Sequence, residues 1–477
     1  MAGRPGAQQT VRMTDDPDKD LTAALDRAHT MAVRWRGSLD DRRVPPRATA
    51  ATVAEALGRE LPAGPSPSVD VVDLLAGAVE PGLTAMPSGR FFGFVIGGTH
   101  PAALAADWLV TAWDQNACLR QVTPGVAAVE EVAGAWVRTL LGLPESSGVG
   151  FTTGATTANF TGVAAGRDEL LRRSGWDIGL GLAGGPRIRV LAGRERHASV
   201  ELALRYAGLP AAEVVDVDEQ GRTRPDRLRA ALVDEPGVPT LVVLQAGNLH
   251  SGASDPFEEC VALAHEHDAW VHVDGAFGLW AAASPSYRSL VAGVERADSW
   301  ATDAHKTLNV PYDCGIVAVR DPAALSAAMN VHGDYLIQDE GDPFGTVPEM
   351  SRRARGVPVW AALRAMGRAG VAAMVEGMCR HAQTLAAAIG DIEGAEVVNH
   401  VVFTQVCATF GDDAATRSVV ARMLAEGTAW TSGSRWRDRE VLRISVSNAG
   451  TTDDDVARTI EALREAAGSA ADRAVRG

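Results

Sequence analysis

The sequence predicts an α/β fold: a mostly parallel β-sheet covered by helices on both faces, followed by a small α+β unit. Two observations carry this. Between about residue 100 and residue 330, short continuous apolar runs alternate with segments of helical period. Strands that are apolar on both faces belong to a parallel sheet buried from both sides. Beyond residue 390 the alternation gives way to strand-like runs at 395–410 and 440–446, set among helical segments at 413–426 and 452–467. The strand candidates of the first region are 187–192, 240–245, 269–274, 298–302 and 314–319. Its helices are 124–142, 156–173, 197–207, 225–233, 255–267 and 322–329. A long helical stretch, 357–390, is interrupted near Gly367 and Gly370. Ahead of all this, 21–36, 49–61 and 70–79 have helical spacing and are separated by the Pro-rich breaks RRVPPR and PAGPSPS. These helices are too short to build a core alone and are expected to drape over the rest of the molecule or over a partner subunit. The polar first 20 residues read as a disordered tail. The expected division is a tail (1–20), a helical dimerisation segment (21–95), a large domain (96–355) and a small C-terminal domain (356–477).

Composition narrows the function. A chain of 477 residues can bury a large core in two or three domains. The net charge of −15 argues against nucleic acid and anionic membrane surfaces as partners. Cys118, Cys260, Cys314, Cys379 and Cys407 are scattered with no CxxC spacing, so they read as free thiols of a reducing cytoplasm, and no metal site is expected. No stretch reaches the ~18 apolar residues of a membrane helix, and the polar N-terminus is no secretory signal. A soluble, cytoplasmic protein is expected, and the Ala and Gly richness suggests a bacterial high-GC genome.

Three features then converge. Lys306 lies in ADSWATDAHKTLNVPYDCG, between a strand candidate and an apolar run, where desolvation would make an amine a usable nucleophile. Asp274 ends the apolar WVHVD and is followed by the small Gly275 and Ala276. Alone it would read as a helix cap. The turn TTGATTAN opens a helix at about Ala155, so backbone amides and the hydroxyls of Thr153 and Thr156 would face an anion there. An amine, a strand-end carboxylate and an anion-binding turn are what pyridoxal 5′-phosphate (PLP) needs: a Schiff-base partner, a carboxylate that keeps the ring nitrogen protonated, and a phosphate cup. His197, in RERHASVELA, starts a helix after a strand and is a candidate to stack on the ring.

With these parts in order, the chain resembles the group II PLP-dependent amino-acid decarboxylases, relatives of aromatic-L-amino-acid and glutamate decarboxylase, over roughly residues 20–465. The matching segments are DAHKTLNVPYDCG, HVDGAFG, RHASVELA and SRRARGVPVWAALRAMG. The resemblance implies PLP fold type I, the aspartate-aminotransferase type. It also implies an amino-acid substrate and a homodimer with shared active sites. By it Lys306 is the Schiff-base lysine, Asp274 the ring-nitrogen partner and His197 the stacking histidine. Ala155, Thr156 and His305 match phosphate-contacting positions, and Ala276 would lie against the ring. Asn248 falls where many members carry a threonine near the cofactor's 3′ oxygen. Asp303 falls where some carry an asparagine near the phosphate. The run RFFGFVIGGTHP matches a substrate wall, which makes Phe94, Val95 and His100 pocket candidates.

The chain departs from the family in the loop before SRR. There the decarboxylases carry a tyrosine that protonates Cα after CO2 leaves. Here the aromatic in the middle of GDYLIQDEGDPFGTVPEMSRRAR is Phe344, which cannot act as an acid, and Tyr335 lies earlier. The resemblance therefore implies a PLP-dependent carboxy-lyase giving amine and CO2. An alternative is decarboxylation-dependent oxidative deamination to an aldehyde, ammonia and peroxide, and a further one is other PLP lyase or transaminase chemistry on the same fold.

Overall fold

The computed structural model describes residues 16–331 and 341–474. Its first helix, α1 (Pro17–Gly37), begins earlier than the apolar spacing suggested. Asp16 accepts from the Lys19 amide and Pro17 sits in the first turn. Residues 17–20 are therefore helix, and the remainder of the expected tail, up to residue 15, lies outside the described residues. Then come α2 (Ala50–Leu57) and α3 (Ser68–Val79), neither of which contains a buried residue. Next are α4 (Pro101–Trp113), mostly apolar and not anticipated, and α5 (Pro124–Leu141).

The main sheet is built from β1 (Gly148–Thr152), β2 (Arg189–Gly193), β3 (Glu213–Val215), β4 (Thr240–Gln245), β5 (Trp270–Asp274), β6 (Ser299–Asp303) and β7 (Gly315–Val319). Between them run α6 (Ala155–Arg173), α7 (Ala198–Tyr206), α8 (Pro225–Asp234) and α9 (Phe257–Glu266), and α10 (Pro322–Met329) follows β7. The strand order is β1-β7-β6-β5-β4-β2-β3. Pairs from β6 through β3 are parallel, while β7 runs antiparallel to both β6 and β1. Burial on both faces explains the continuous apolar runs: Val242 and Leu244 of β4 enter one core, Leu241 and Val243 the other. β1 and β3 were not anticipated, since the first is glycine-rich and the second only three residues long.

The long helix α11 (Gly356–Gly390) kinks at Gly367, where φ is 60° and ψ −177°, as the sequence break suggested; Gly370 remains helical. The C-terminal part adds an antiparallel sheet of β8 (Ala395–Val397), β9 (Gln405–Phe410), β10 (Ser432–Trp436) and β11 (Arg439–Ser445) in the order β10-β11-β9-β8. It packs with α12 (Asp413–Glu426), α13 (Asp453–Ala474) and the second half of α11 around a separate core.

Two details aim the elements at one place. Glycines let α6 lie close on the sheet: a Cβ on Gly162 would sit 2.6 Å from His272 Cε1, and one on Gly166 2.6 Å from Trp270. His272 is buried between Ser299 Oγ (2.8 Å) and Asn159 Oδ1 (2.9 Å), which ties β5, β6 and α6 together. Burial pushes its pKa down to about 3. The register sets Thr152 opposite Gly315, Gly315 opposite Asp303, and Gln245 opposite Asp274. The carboxyl ends of β1, β4, β5 and β6 thus meet at one sheet edge, where open α/β sheets place ligands.

Candidate active site

At that edge a cleft of about 330 Å³ is lined by Lys306, Asp274, His197, Ala276, Arg443 and Tyr312, with apolar walls from Phe94, Val95, Ile96, Leu249 and Phe277. Lys306 follows β6 in a loop held from several sides. Asn309, in a left-handed conformation (φ 59°), donates through Nδ2 to the carbonyls of Thr307 and Ser447, both at 2.9 Å. The GFVIGG segment presses on the same loop, for a Cβ on Gly97 would collide with the Lys306 carbonyl. Its glycines therefore serve close backbone approach. Lys306 Nζ lies 2.8 Å from Asp303 Oδ2, and Ala155 N–H, in the first turn of α6, donates to Asp303 Oδ1 at 2.6 Å.

Asp274, buried at the end of β5, accepts from the Ala276 amide at 3.3 Å. Burial raises its pKa, opposed by the charges of His197 and Lys306. His197 caps α7, with its Nδ1 accepting from the Ser199 amide at 3.2 Å, so the ring is fixed in orientation. Its surface is open to the cleft, yet the protein mass around it lowers its pKa. His305 is buried, accepts from Cys314 N–H through Nδ1 at 3.1 Å, and stacks on Tyr312 with ring centroids 4.2 Å apart. Burial lowers its pKa.

Lys306, Asp274, His197, Ala276, Phe94 and Val95 are thus brought together on one cleft. Ala155 and His305 stand beside Asp303, which contacts Lys306, and Thr156 follows Ala155 in the first turn of α6. Three other candidates are placed elsewhere. Asn248 is buried with its side chain spent on its own turn: Oδ1 accepts from His250 and Ser251 amides, and Nδ2 donates to Glu195. His100 caps α4 by accepting from the Ala102 amide, behind the cleft wall. Phe344 is 3% exposed, with its amide on the Cys118 carbonyl, and does not line the cleft of its own chain. The proton-donor position expected for it is therefore not formed there, because the segment folds inward as a 3-10 turn against its own protomer. Tyr335 lies outside the described residues.

Among the cleft residues that sequence reasoning missed, two carry polar chemistry of consequence, Arg443 and Tyr312. Arg443 on β11 is 5% exposed, its Nε has no hydrogen-bond partner, and no carboxylate pairs with it among the described residues. Its signal was a charge inside the apolar run EVLRISV. Tyr312, in the quoted NVPYDCG, is a phenol on the cleft; it is 56% exposed, yet the protein mass on its inner side pushes its pKa up to about 12.

The donor set fits PLP. An amine for its aldehyde faces the same cleft as a buried carboxylate for its ring nitrogen, a small residue, Ala276, leaves space for a flat ring, and the N-terminus of α6, joined to Lys306 through Asp303, offers amides for its phosphate. Comparison with known proteins agrees. Residues 53–410 match the family model described as the pyridoxal-dependent decarboxylase conserved domain. The chain is 30% identical to tryptophan decarboxylase 1 of Oryza sativa subsp. japonica over 412 residues, 79% of each chain. It is 25% identical to an aromatic-L-amino-acid decarboxylase of Bacillus atrophaeus over 406 residues, covering 80% of this chain and 82% of the relative. A crystal structure of Oryza sativa TDC with PLP and tryptamine superposes with a TM-score of 0.89 at 24% identity, covering 96% of this chain and 99% of the other. A Rhodiola rosea 4-hydroxyphenylacetaldehyde synthase shares the fold at a TM-score of 0.86 and 21% identity, covering 95% and 99%. The chain belongs to the pyridoxal-dependent decarboxylase family, a PLP-dependent carboxy-lyase of fold type I.

Proposed function

We propose that the protein removes the α-carboxylate of an L-amino acid with an apolar, first of all aromatic, side chain, giving the amine and CO2. The observation that carries this reading is the uncompensated Arg443 guanidinium on the cleft that also holds Lys306 and Asp274. A buried cation without a partner is matched by a ligand carboxylate. The apolar walls Phe94, Val95, Ile96, Leu249 and Phe277 leave no charge for a polar side chain, and the named relatives act on tryptophan and aromatic amino acids.

When bound, the cofactor supplies the electron sink for the pair left at Cα. Lys306 would supply the amine that tethers it, Asp274, buried and carboxylate-bearing, would favour a protonated ring nitrogen, and His197, fixed by its cap, would be available to stack on the ring. Arg443 binds the carboxylate and sets the direction of the bond that breaks. That ion pair is lost as neutral CO2 leaves, so its contribution is to binding and orientation. A phenol on the cleft, Tyr312, can move a proton to Cα, which favours the amine over the aldehyde reading. That alternative, in which dioxygen takes two electrons and becomes peroxide while ammonia and aldehyde are released, is ranked second, because Phe344, the residue that motivated it, is buried away from the cleft of its own chain.

The active unit is proposed to be a homodimer. α2 and α3 contain no fully buried residue within the chain, and Leu21, Leu25, Val71, Leu74 and Leu75 are all exposed. Apolar area of that extent calls for a second copy of the chain. No described helix is long and apolar enough to cross a membrane.

The test is mass spectrometry of products from a panel of L-amino acids, with and without oxygen. Amine in equal yield under both conditions supports the first reading. Aldehyde that disappears without oxygen supports the second, and a keto acid with retained carboxylate contradicts both.

A further inference from the structure

The first turn of α6 is where the cofactor's phosphate is expected, yet an anion of the protein already sits there. Ala155 N–H donates to Asp303 Oδ1 at 2.6 Å, and Asp303 Oδ2 lies 2.8 Å from Lys306 Nζ. The carboxylate is 2% exposed, and His305 Nε2 stands 3.7 Å from Oδ1. The space is tight: a Cβ on Gly154 would lie 3.3 Å from His305 Cε1 and 3.6 Å from Asp303 Oδ1. Helix dipole and amide are thus partly spent on a side-chain carboxylate, with the Lys306 ammonium as its counter-ion.

We propose that Asp303 is a built-in competitor for the cofactor's phosphate. In the cofactor-free protein its carboxylate satisfies the α6 amide and the Lys306 amine, neither of which would be cheap to leave buried and unpaired. When a phosphate enters, the same carboxylate opposes it, because like charges repel strongly in a site shielded from water. Once Lys306 is tethered to the cofactor, Asp303 also loses its free ammonium partner. The charge at 303 acts here, not its shape: asparagine has the same outline and can turn an N–H toward a phosphate oxygen. The chain stabilises its empty form at the expense of cofactor affinity.

This rests on the cleft being the PLP site, and the experiment separates the two ideas. Full-length apoprotein is titrated with PLP and with pyridoxal, which lacks the phosphate, and binding is followed by tryptophan fluorescence and absorbance. Asp303→Asn should bind PLP roughly tenfold tighter, with a distinctly smaller gain for pyridoxal. Asp303→Ser should show the same ordering and serves where the Asn variant fails to fold. Unchanged or weaker PLP binding, or an equal gain for pyridoxal and PLP, overturns the proposal while leaving the PLP site intact. If borohydride reduction labels Lys306 in neither wild type nor variants, the reading of the cleft falls and the proposal falls with it.

Discussion

At the scale of single residues the account depends on which groups face the cleft. Asp274→Asn keeps the shape of the buried side chain and removes the charge that holds a proton on the ring nitrogen. Turnover should fall by about two or more orders of magnitude, the scale of losing a major electrostatic contribution, while PLP absorbance is retained. An unchanged kcat would remove Asp274 from this role. Arg443→Met keeps most of the length and apolar bulk without the cation. It should raise KM by roughly tenfold or more, with a smaller effect on kcat; a KM equal to wild type would show that the carboxylate is held elsewhere. Lys306, Asp274 and His197 were legible in the sequence only in combination: a strand-end carboxylate or a histidine opening a helix is ordinarily a cap, but in one order with an anion-binding turn and an amine after Asp-Ala-His they converge on one chemistry. Arg443 was not, since its one local mark, a charge inside the apolar run EVLRISV, does not say which cleft it reaches; packing of the C-terminal core decides that. Asn248, His100 and Phe344 show the converse. Their sequence positions suggested the site, but hydrogen bonds to neighbouring amides, or burial, direct them elsewhere.

At the scale of elements, the site exists because α6 can approach the sheet. Gly162 and Gly166 face His272 and Trp270 at distances that admit no side chain, and this contact aims the first turn of α6 at Asp303 and Lys306. Gly162→Ala should therefore push α6 outward, costing about 1–3 kcal/mol of stability. Thermal unfolding should show a lower Tm, and the PLP affinity should fall with it. A variant with wild-type Tm and wild-type affinity would show that the approach is not needed. The main strands were legible because burial on both faces makes them continuously apolar. The edges were not: β3 is too short to show a period, and β1, GVGFT, carries two glycines. α4 was hidden for a different reason: its apolar residues spread round most of the helix, interrupted only by Asp107 and Thr111, so no clear stripe stands out.

At the scale of the whole molecule, the N-terminal helices have a surface in need of a partner. Leu74 and Leu75 of α3 are 52% and 55% exposed. Replacing both by Asp should leave the main core intact and shift the protein from two chains to one in analytical ultracentrifugation, with loss of activity. A fully active single chain would contradict a shared active site. The sequence suggested this from the same helices, whose apolar spacing had no core of its own to serve, but composition alone does not say which surface meets which. The central claim, that Lys306 anchors the chemistry that releases the α-carboxylate, is tested most directly by following labelled CO2 from a carboxyl-labelled aromatic L-amino acid, with wild type and Lys306→Ala side by side under added PLP. The account predicts label released as CO2 in step with amine by the wild type and none above background by the variant. Label that stays in the product of the wild type, or CO2 release that survives in Lys306→Ala, would contradict it.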